Sequence, residues 1–242
     1  MLEALLWGIV SASSLLVGCC IAMWFKPSQR VTGLVMAFGA GVLISAVAYE
    51  LVLDAVDDGS PTTIAAGIFA GALTFFIGDA IIDRAGGEKR KHSSAGKAAA
   101  GAGALAIVLG TALDGVPESI VLGLDLLEGQ EGGSFLAAVF LSNVPEALAA
   151  STGLKASGWS TGRIFGIWGV VMVVSALSVC LGYGAFSDAS GGTIAFVLAF
   201  AAGAILTMLA DTMMPEAFEN AGKVVGLLTT LGFATSFAMQ SF

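Results

Sequence analysis

The amino-acid sequence predicts an all-α integral membrane protein: eight transmembrane helices in a 3+2+3 arrangement, the last three an inverted repeat of the first three. Three observations predict it. Of 242 residues, 57% are hydrophobic and only 12% charged, too little polar sequence to cover a soluble globule of this size. The charges are also segregated. Uncharged runs over 4–25, 31–49, 59–78, 164–187, 189–210 and 224–242 each approach the ~20 residues that carry a helix across the apolar core of a bilayer. Two further apolar stretches, 98–124 and 134–154, are interrupted only by Asp114, Glu118 and Glu146. Finally, all ten Lys and Arg residues fall on one side of an eight-span arrangement.

Taken in order within one transmembrane domain over 1–242, the predicted helices are 4–24, 32–53, 62–82, 98–124, 134–154, 163–186, 193–216 and 223–241. The first ends in Lys26-Pro27-Ser28-Gln29-Arg30. Because it begins with Glu3, lacks a basic leading segment and is too long for a secretory signal, it is expected to stay in the protein. The second runs into the acidic turn Asp57-Asp58-Gly59-Ser60-Pro61. The third leads to a polar loop over 84–97, rich in Gly, Ser and Lys and predicted to be flexible. Loops over 125–133, 155–163, 187–192 and 219–223 separate the rest. Cys19, Cys20 and Cys180 all fall within spans and, with no CxxC spacing, read as small buried hydrophobes.

The basic residues orient the molecule. Lys26 and Arg30 follow helix 1; Arg84, Lys89, Arg90, Lys91 and Lys97 follow helix 3; Lys155 and Arg163 follow helix 5; Lys223 follows helix 7. The excess of Lys and Arg on cytoplasmic loops makes that side cytoplasmic. The expected location is therefore the cell membrane, multi-pass, with both termini outside the cytoplasm. An error of one helix would scatter the charges over both faces.

The chain also repeats itself. Phe38-Gly39-Ala40-Gly41-Val42-Leu43-Ile44-Ser45 reads like Phe200-Ala201-Ala202-Gly203-Ala204-Ile205-Leu206-Thr207, and the match continues from Asp54-Ala55 to Glu216-Ala217. These two helices would cross in opposite senses. So would helices 4 and 5, which carry Asp114-Gly115-Val116-Pro117-Glu118 and Ser142-Asn143-Val144-Pro145-Glu146. Inverted repeats with interrupted central helices are a mark of secondary transporters. A small-residue packing face is the plainer account of the Phe-x-Ala-Gly match in a chain with 33 glycines.

The central pair carries the chemistry. Asp114 and Glu118, four residues apart, share a helix face; Ser142, Asn143 and Glu146 share another. Pro117 and Pro145 lack an N–H, so the carbonyls of Leu113 and Leu141 lose their helical donors beside the carboxylates. An acid at the bilayer centre costs about 2.5–3.5 kcal/mol on insertion scales. No Lys, Arg or His lies in these two spans. A bound cation would supply the missing counter-charge, in keeping with the net charge of -8. An N-cap Asp with Glu in the first turn would place the same motif at a helix start, and a proton relay is a competing functional reading.

These residues resemble the ZIP family of divalent metal transporters, whose helix 4 carries His-Asn-x-Pro-Glu-Gly and helix 5 a related Pro-Glu motif. Asp211-Thr212-Met213-Met214-Pro215-Glu216 is similar to the family's helix 7 pattern, Glu-Glu-x-x-Pro-Glu. The similarity covers nearly the whole chain, including eight helices and a long cytoplasmic loop after helix 3. It implies movement of Zn2+, or of Fe2+ or Mn2+, toward the cytoplasm through a site on helices 4 and 5, with Glu118, Glu146 and Asn143 at ligand positions. Asp114 stands where the family has His, Gly115 where it has Asn, and Ser142 precedes Asn143; Ser119 and Ala147 replace two glycines. Helix 6 holds no acid, so a second metal site drawing on one there is in doubt. Carboxylate, amide and hydroxyl oxygens form a hard set that suits Mn2+, Fe2+ or Mg2+ better than an imidazole-containing one.

Metal-site candidates are thus Asp114, Glu118, Asn143, Glu146 and Ser142, and transport-route candidates are Asp211, Glu216, Glu50 and Asp54. Glu50, Asp54, Asp57 and Asp58 could form an outer funnel that concentrates cations, or simply a solvated acidic segment. Asp79 and Asp83 read as partners of Arg84. His92 stands alone in its loop, and Met208, Met213 and Met214 read as packing. The metal is substrate and no cofactor is expected. Partners are the lipid bilayer and the divalent metal, with a homodimer left open and no nucleic acid. No catalysis is expected: an intramembrane metalloenzyme would need groups around an open metal position, and the spans lack His. A non-transporting scaffold with a degenerate site stays open.

Overall fold

The computed structural model describes residues 1–84, 102–127 and 133–240, all in helices and their connections with no strand among them. The predicted loop over 84–97 lies, beyond Arg84, outside the described residues, as do His92 and most of the loop after helix 4. The helices are α1 (Leu2–Trp24), α2 (Gln29–Asp58), α3 (Pro61–Arg84), α4 (Ala102–Leu127), α5 (Gly133–Ala156), α6 (Thr161–Ala185), α7 (191–221) and α8 (Val225–Gln240). By length and apolar composition, six stretches among the described residues can cross a bilayer. The chain is a multi-pass membrane protein.

One of the six stretches, Gly191–Met239, is 49 residues long, roughly 74 Å of helix against a hydrocarbon core of about 30 Å. It reverses at Gly222, whose φ of 67 and ψ of -152 break the helix in a conformation open essentially to glycine alone. The neighbours of α2 show the reversal. Gly33 lies against Ala217, Asn220 and Ala221, and Gly39 against Met213, so α7 runs antiparallel to α2. Phe38 meets Gly232 and Tyr49 meets Phe237, so α8 runs parallel to it. By the same reading α3 and α7 are parallel (Gly59 on Ala195, Gly71 on Phe200), and α1 and α6 antiparallel (Gly8 on Ala176, Trp24 on Phe165).

Close helix contact rests on small residues. Without a hydrophobic drive between helices in lipid, packing needs backbones that approach. A Cβ on Gly41 would run into the Thr229 carbonyl, and one on Gly232 into that of Phe38; likewise Gly71 abuts the Phe200 carbonyl and Gly203 that of Ile68. Phe38 and Gly41 become Phe200 and Gly203 by the same shift of 162 positions, and Ile68 and Gly71 become Thr229 and Gly232 by a shift of 161. The α2–α8 and α3–α7 contacts are therefore the same contact made twice. The caps follow suit: Ser28 accepts from the Val31 N–H and Ser190 from the Thr193 N–H, again 162 positions apart.

Two features depart from the sequence reading. The acidic turn after helix 2 is helical through Asp58, and α7 continues through Glu219 to Ala221. Within them, Val47–Val52 and Leu209–Met213 are π-helical, at matching places in the repeat. One-turn π segments inside α-helices recur at functional positions. Two apolar clusters fill the interior: one centred on α2, α7, the C-terminal part of α4 and the N-terminal part of α5, the other joining α1, α5 and α6 around Trp168. The Trp168 indole N–H donates to Ser151 Oγ at 2.8 Å, which satisfies the polar tip of a fully buried ring. All three cysteines are free, with Cys19 buried, and Met208 and Met213 are buried in the core.

Candidate cation site

Neither Pro-Glu motif begins a helix. Pro117 and Pro145 lie inside α4 and α5, which removes the N-cap account and keeps the acids in mid-helix. On α4, Asp114 is 6% and Glu118 2% exposed, and the two carboxylates are within electrostatic reach of each other. Glu118 Oε2 is buried without a hydrogen-bond partner. An oxygen in that state is destabilising by about 1–3 kcal/mol, more when charged, so its position favours any cation that reaches it.

On α5, Ser142 and Asn143 are buried and Glu146 is half-buried with Oε1 inside. The Ser142 hydroxyl donates to the Val139 carbonyl at 3.0 Å, which leaves its lone pairs free to accept a cation. Ser119, at a position of the family's glycine, donates to the Gly115 carbonyl at 2.7 Å and is similarly oriented by its own helix. Gly39 of α2 closes over this segment, its added Cβ falling 3.3 Å from Ser142 Cα and 3.2 Å from Pro145 Cγ.

The structure brings Asp114 and Glu118 together and lines Ser142, Asn143 and Glu146 along α5. Among the described residues, no three His, Cys, Asp or Glu side chains stand close enough to hold a metal ion. α4 packs mainly on α6, through Gly182 on Ile120 and Gly123 on Val179, and α5 packs on α1, through Gly18 on Val144.

The route candidates differ in exposure. Both carboxylate oxygens of Glu50 are buried, Asp54 is half-buried, and Glu216 is 8% exposed. Glu50 belongs to the π segment of α2. Asp57 and Asp58 are exposed, whereas Asp211 stands exposed in the wall of a groove between α3 and α7. Asp79 is 2% exposed, on the inward stripe of α3 with Gly67, Gly71 and Phe75.

Asp125 is the residue the sequence reading missed. Placed there in a loop, it is helical and 6% exposed. Thr111, Asp114, Glu118 and Asp125 succeed one another at intervals of three, four and seven residues, one face of an α-helix, and all four are buried. The spacing of seven from Glu118 was the available signal.

Fold and site together define a multi-pass helical membrane protein with a buried acidic seam along one face of α4. No protein-family model matches the chain. It is similar to a protein of Arabidopsis thaliana named "putative zinc transporter", 24% identical over 242 residues, which cover 98% of this chain and 38% of that protein. The chain thus spans well under half the length of this relative.

Proposed function

We propose that the chain carries divalent metal ions across the membrane toward the cytoplasm, using the carboxylates of α4 and α5 as the central binding groups. One observation carries the reading: a carboxylate oxygen of Glu118, buried without a hydrogen-bond partner beside Asp114 in the middle of α4. The likeness to a protein named as a zinc transporter and the resemblance to the ZIP pattern agree with it. Zn2+, Fe2+ and Mn2+ are the candidate cargoes, and the oxygen-only donor set favours the harder ions.

In this reading α1–α3 and α6–α8 are inverted halves around α4 and α5, and both termini face outward. The paired glycine contacts, the matching π segments and the helix directions support it. Glu50, Asp54 and Asp125 attract the cation on the outer side. Glu118, Asp114, Ser142, Asn143 and Glu146 then replace its water in stages. The two polar faces come together as their helices move, so α4, held by α6, and α5, held by α1, alternate access to the two sides. Glu216, beyond the π segment of α7, lies on the exit side.

The test is uptake of Zn2+ and Mn2+ into proteoliposomes by the native chain, Glu118→Ala and Glu146→Ala. Uptake is expected to collapse in both variants. Equal uptake in all three would remove the site assignment, and no uptake of any divalent metal by the folded native chain would favour a non-transporting scaffold.

A further inference from the structure

One end of the group formed by α1, α5 and α6 carries positive charge alone. Lys155 stands in the last turn of α5 and Arg163 in the first turn of α6. The ring of Trp24, the last residue of α1, lies 6.3 Å from that of Phe165, so Lys26, two residues further on, belongs to the same end. All three bases are exposed. No Asp or Glu occurs over 4–49 or 147–187, which take in α6, the end of α5 and all but the first turn of α1.

Two of these bases are held in place. Lys155 Nζ donates to Thr161 Oγ1 at 3.0 Å across the turn, and the Arg163 guanidinium carbon lies 3.8 Å from the centre of the Trp159 ring. Stacking engages a guanidinium through its face. Its N–H groups lie in its plane and stay available at the edge, where they match phosphate oxygens two at a time. Aromatic residues of the kind enriched at membrane boundaries stand at the same end: Trp24 is 71% and Phe25 79% exposed. Next to Arg163 the surface of α6 is bare. Gly162, Gly166 and Gly169 share one helix face, and a Cβ built on any of them meets nothing within 4 Å.

We propose that this end binds an anionic phospholipid, its phosphate on Arg163, Lys155 and Lys26 and an acyl chain along the bare face of α6. Bases at the ends of transmembrane helices recognise acidic headgroups in this way. Net charge selects the ligand, because a zwitterionic lipid brings its own cation to the phosphate and an anionic lipid does not. The apolar surroundings select a lipid over free phosphate: exposed Trp24 and Phe25 and the open face of α6 offer contacts that an inorganic ion does not use. Such a site is independent of any metal the chain carries.

The experiment uses the full chain in neutral detergent micelles, with pyrene-labelled phosphatidylglycerol as probe and pyrene-labelled phosphatidylcholine as its zwitterionic counterpart. Energy transfer from tryptophan to pyrene reads binding. Saturable binding of phosphatidylglycerol is expected, with phosphatidylcholine at least roughly tenfold weaker, since each base near an anionic headgroup contributes about fivefold. Arg163→Gln is expected to weaken phosphatidylglycerol by about that fivefold and to leave phosphatidylcholine unchanged. Arg163→Lys, which keeps the charge, should retain the preference, and Lys223→Gln, which removes a base from the turn between α7 and α8, should change neither lipid. Equal binding of the two lipids, equal losses from Lys223→Gln and Arg163→Gln, or displacement of phosphatidylglycerol by inorganic phosphate at equal concentration would each overturn the proposal.

Discussion

Replacing Glu118 by Gln separates a carboxylate kept for a cation from one kept for structure, because the two make opposite predictions about stability. The side chain is 2% exposed, with Oε2 buried without a hydrogen-bond partner and the Asp114 carboxylate nearby. Gln keeps the volume and removes the charge. A charged acid at the helix centre costs about 2.5–3.5 kcal/mol on insertion scales, and part of that is regained in the variant. At about 2–4 °C per kcal/mol for a chain of this length, metal-free Glu118→Gln should unfold several degrees above the native protein. Saturating metal should act the other way. A ligand at a hundred times its Kd stabilises a native state by about 2.7 kcal/mol, and the variant should lose most of that shift for Zn2+ and Mn2+. Thermal unfolding in nanodiscs, with chelator and then with each metal, reads both. A variant that melts below the native protein without metal, yet keeps the full metal-induced shift, would refute the argument that Glu118 is held for a cation.

Three other outcomes are expected from the same structure. Asp125→Asn should leave the fold intact and lower the apparent affinity for metal in uptake assays by about tenfold, since a like-charged path raises the local cation concentration by at least that factor; unchanged initial rates over the whole concentration range would take Asp125 off the route. Gly41→Leu and Gly203→Leu each drive a side chain into a facing carbonyl and should destabilise by about 1–3 kcal/mol apiece, as overpacking does; a large effect from one and none from the other, in thermal unfolding, would contradict the equivalence of the two contacts. Trp168→Phe, which loses the 2.8 Å bond to Ser151, should lower stability by about 0.5–1.5 kcal/mol without changing metal specificity, which competition between Zn2+ and Mn2+ measures.

Much of the architecture was legible because lipid imposes one-dimensional rules. Apolar length marks a crossing, so the uncharged runs at 4–25 and 164–187 correspond to α1 and α6. Backbone hydrogen bonds must close within each span, which leaves helices as the form for such runs. The correspondence of Phe38-Gly39-Ala40-Gly41 with Phe200-Ala201-Ala202-Gly203 was readable because a glycine that touches a facing carbonyl tolerates little else. Helix ends were harder: Asp58 and Glu219 look like loop residues by polarity, and both are helical.

What only the tertiary structure decided is which way each polar group faces and what stands opposite it. Composition marks Asp79, Asp125 and Asp211 alike as acids near or within apolar sequence; packing buries the first two and leaves the third in an open groove. The π segments at Val47–Val52 and Leu209–Met213 rotate the residues beyond them on α2 and α7, and no residue type announces such a shift. Residue identity alone places carboxylates within long apolar stretches that hold no basic residue, because charge and hydropathy belong to the residues themselves. Asp114 and Glu118 share a face by their spacing in one helix, whereas how that face lies relative to Glu146 depends on contacts between distant segments such as Gly182 on Ile120 and Gly18 on Val144, and distance across the bundle is not written along the chain.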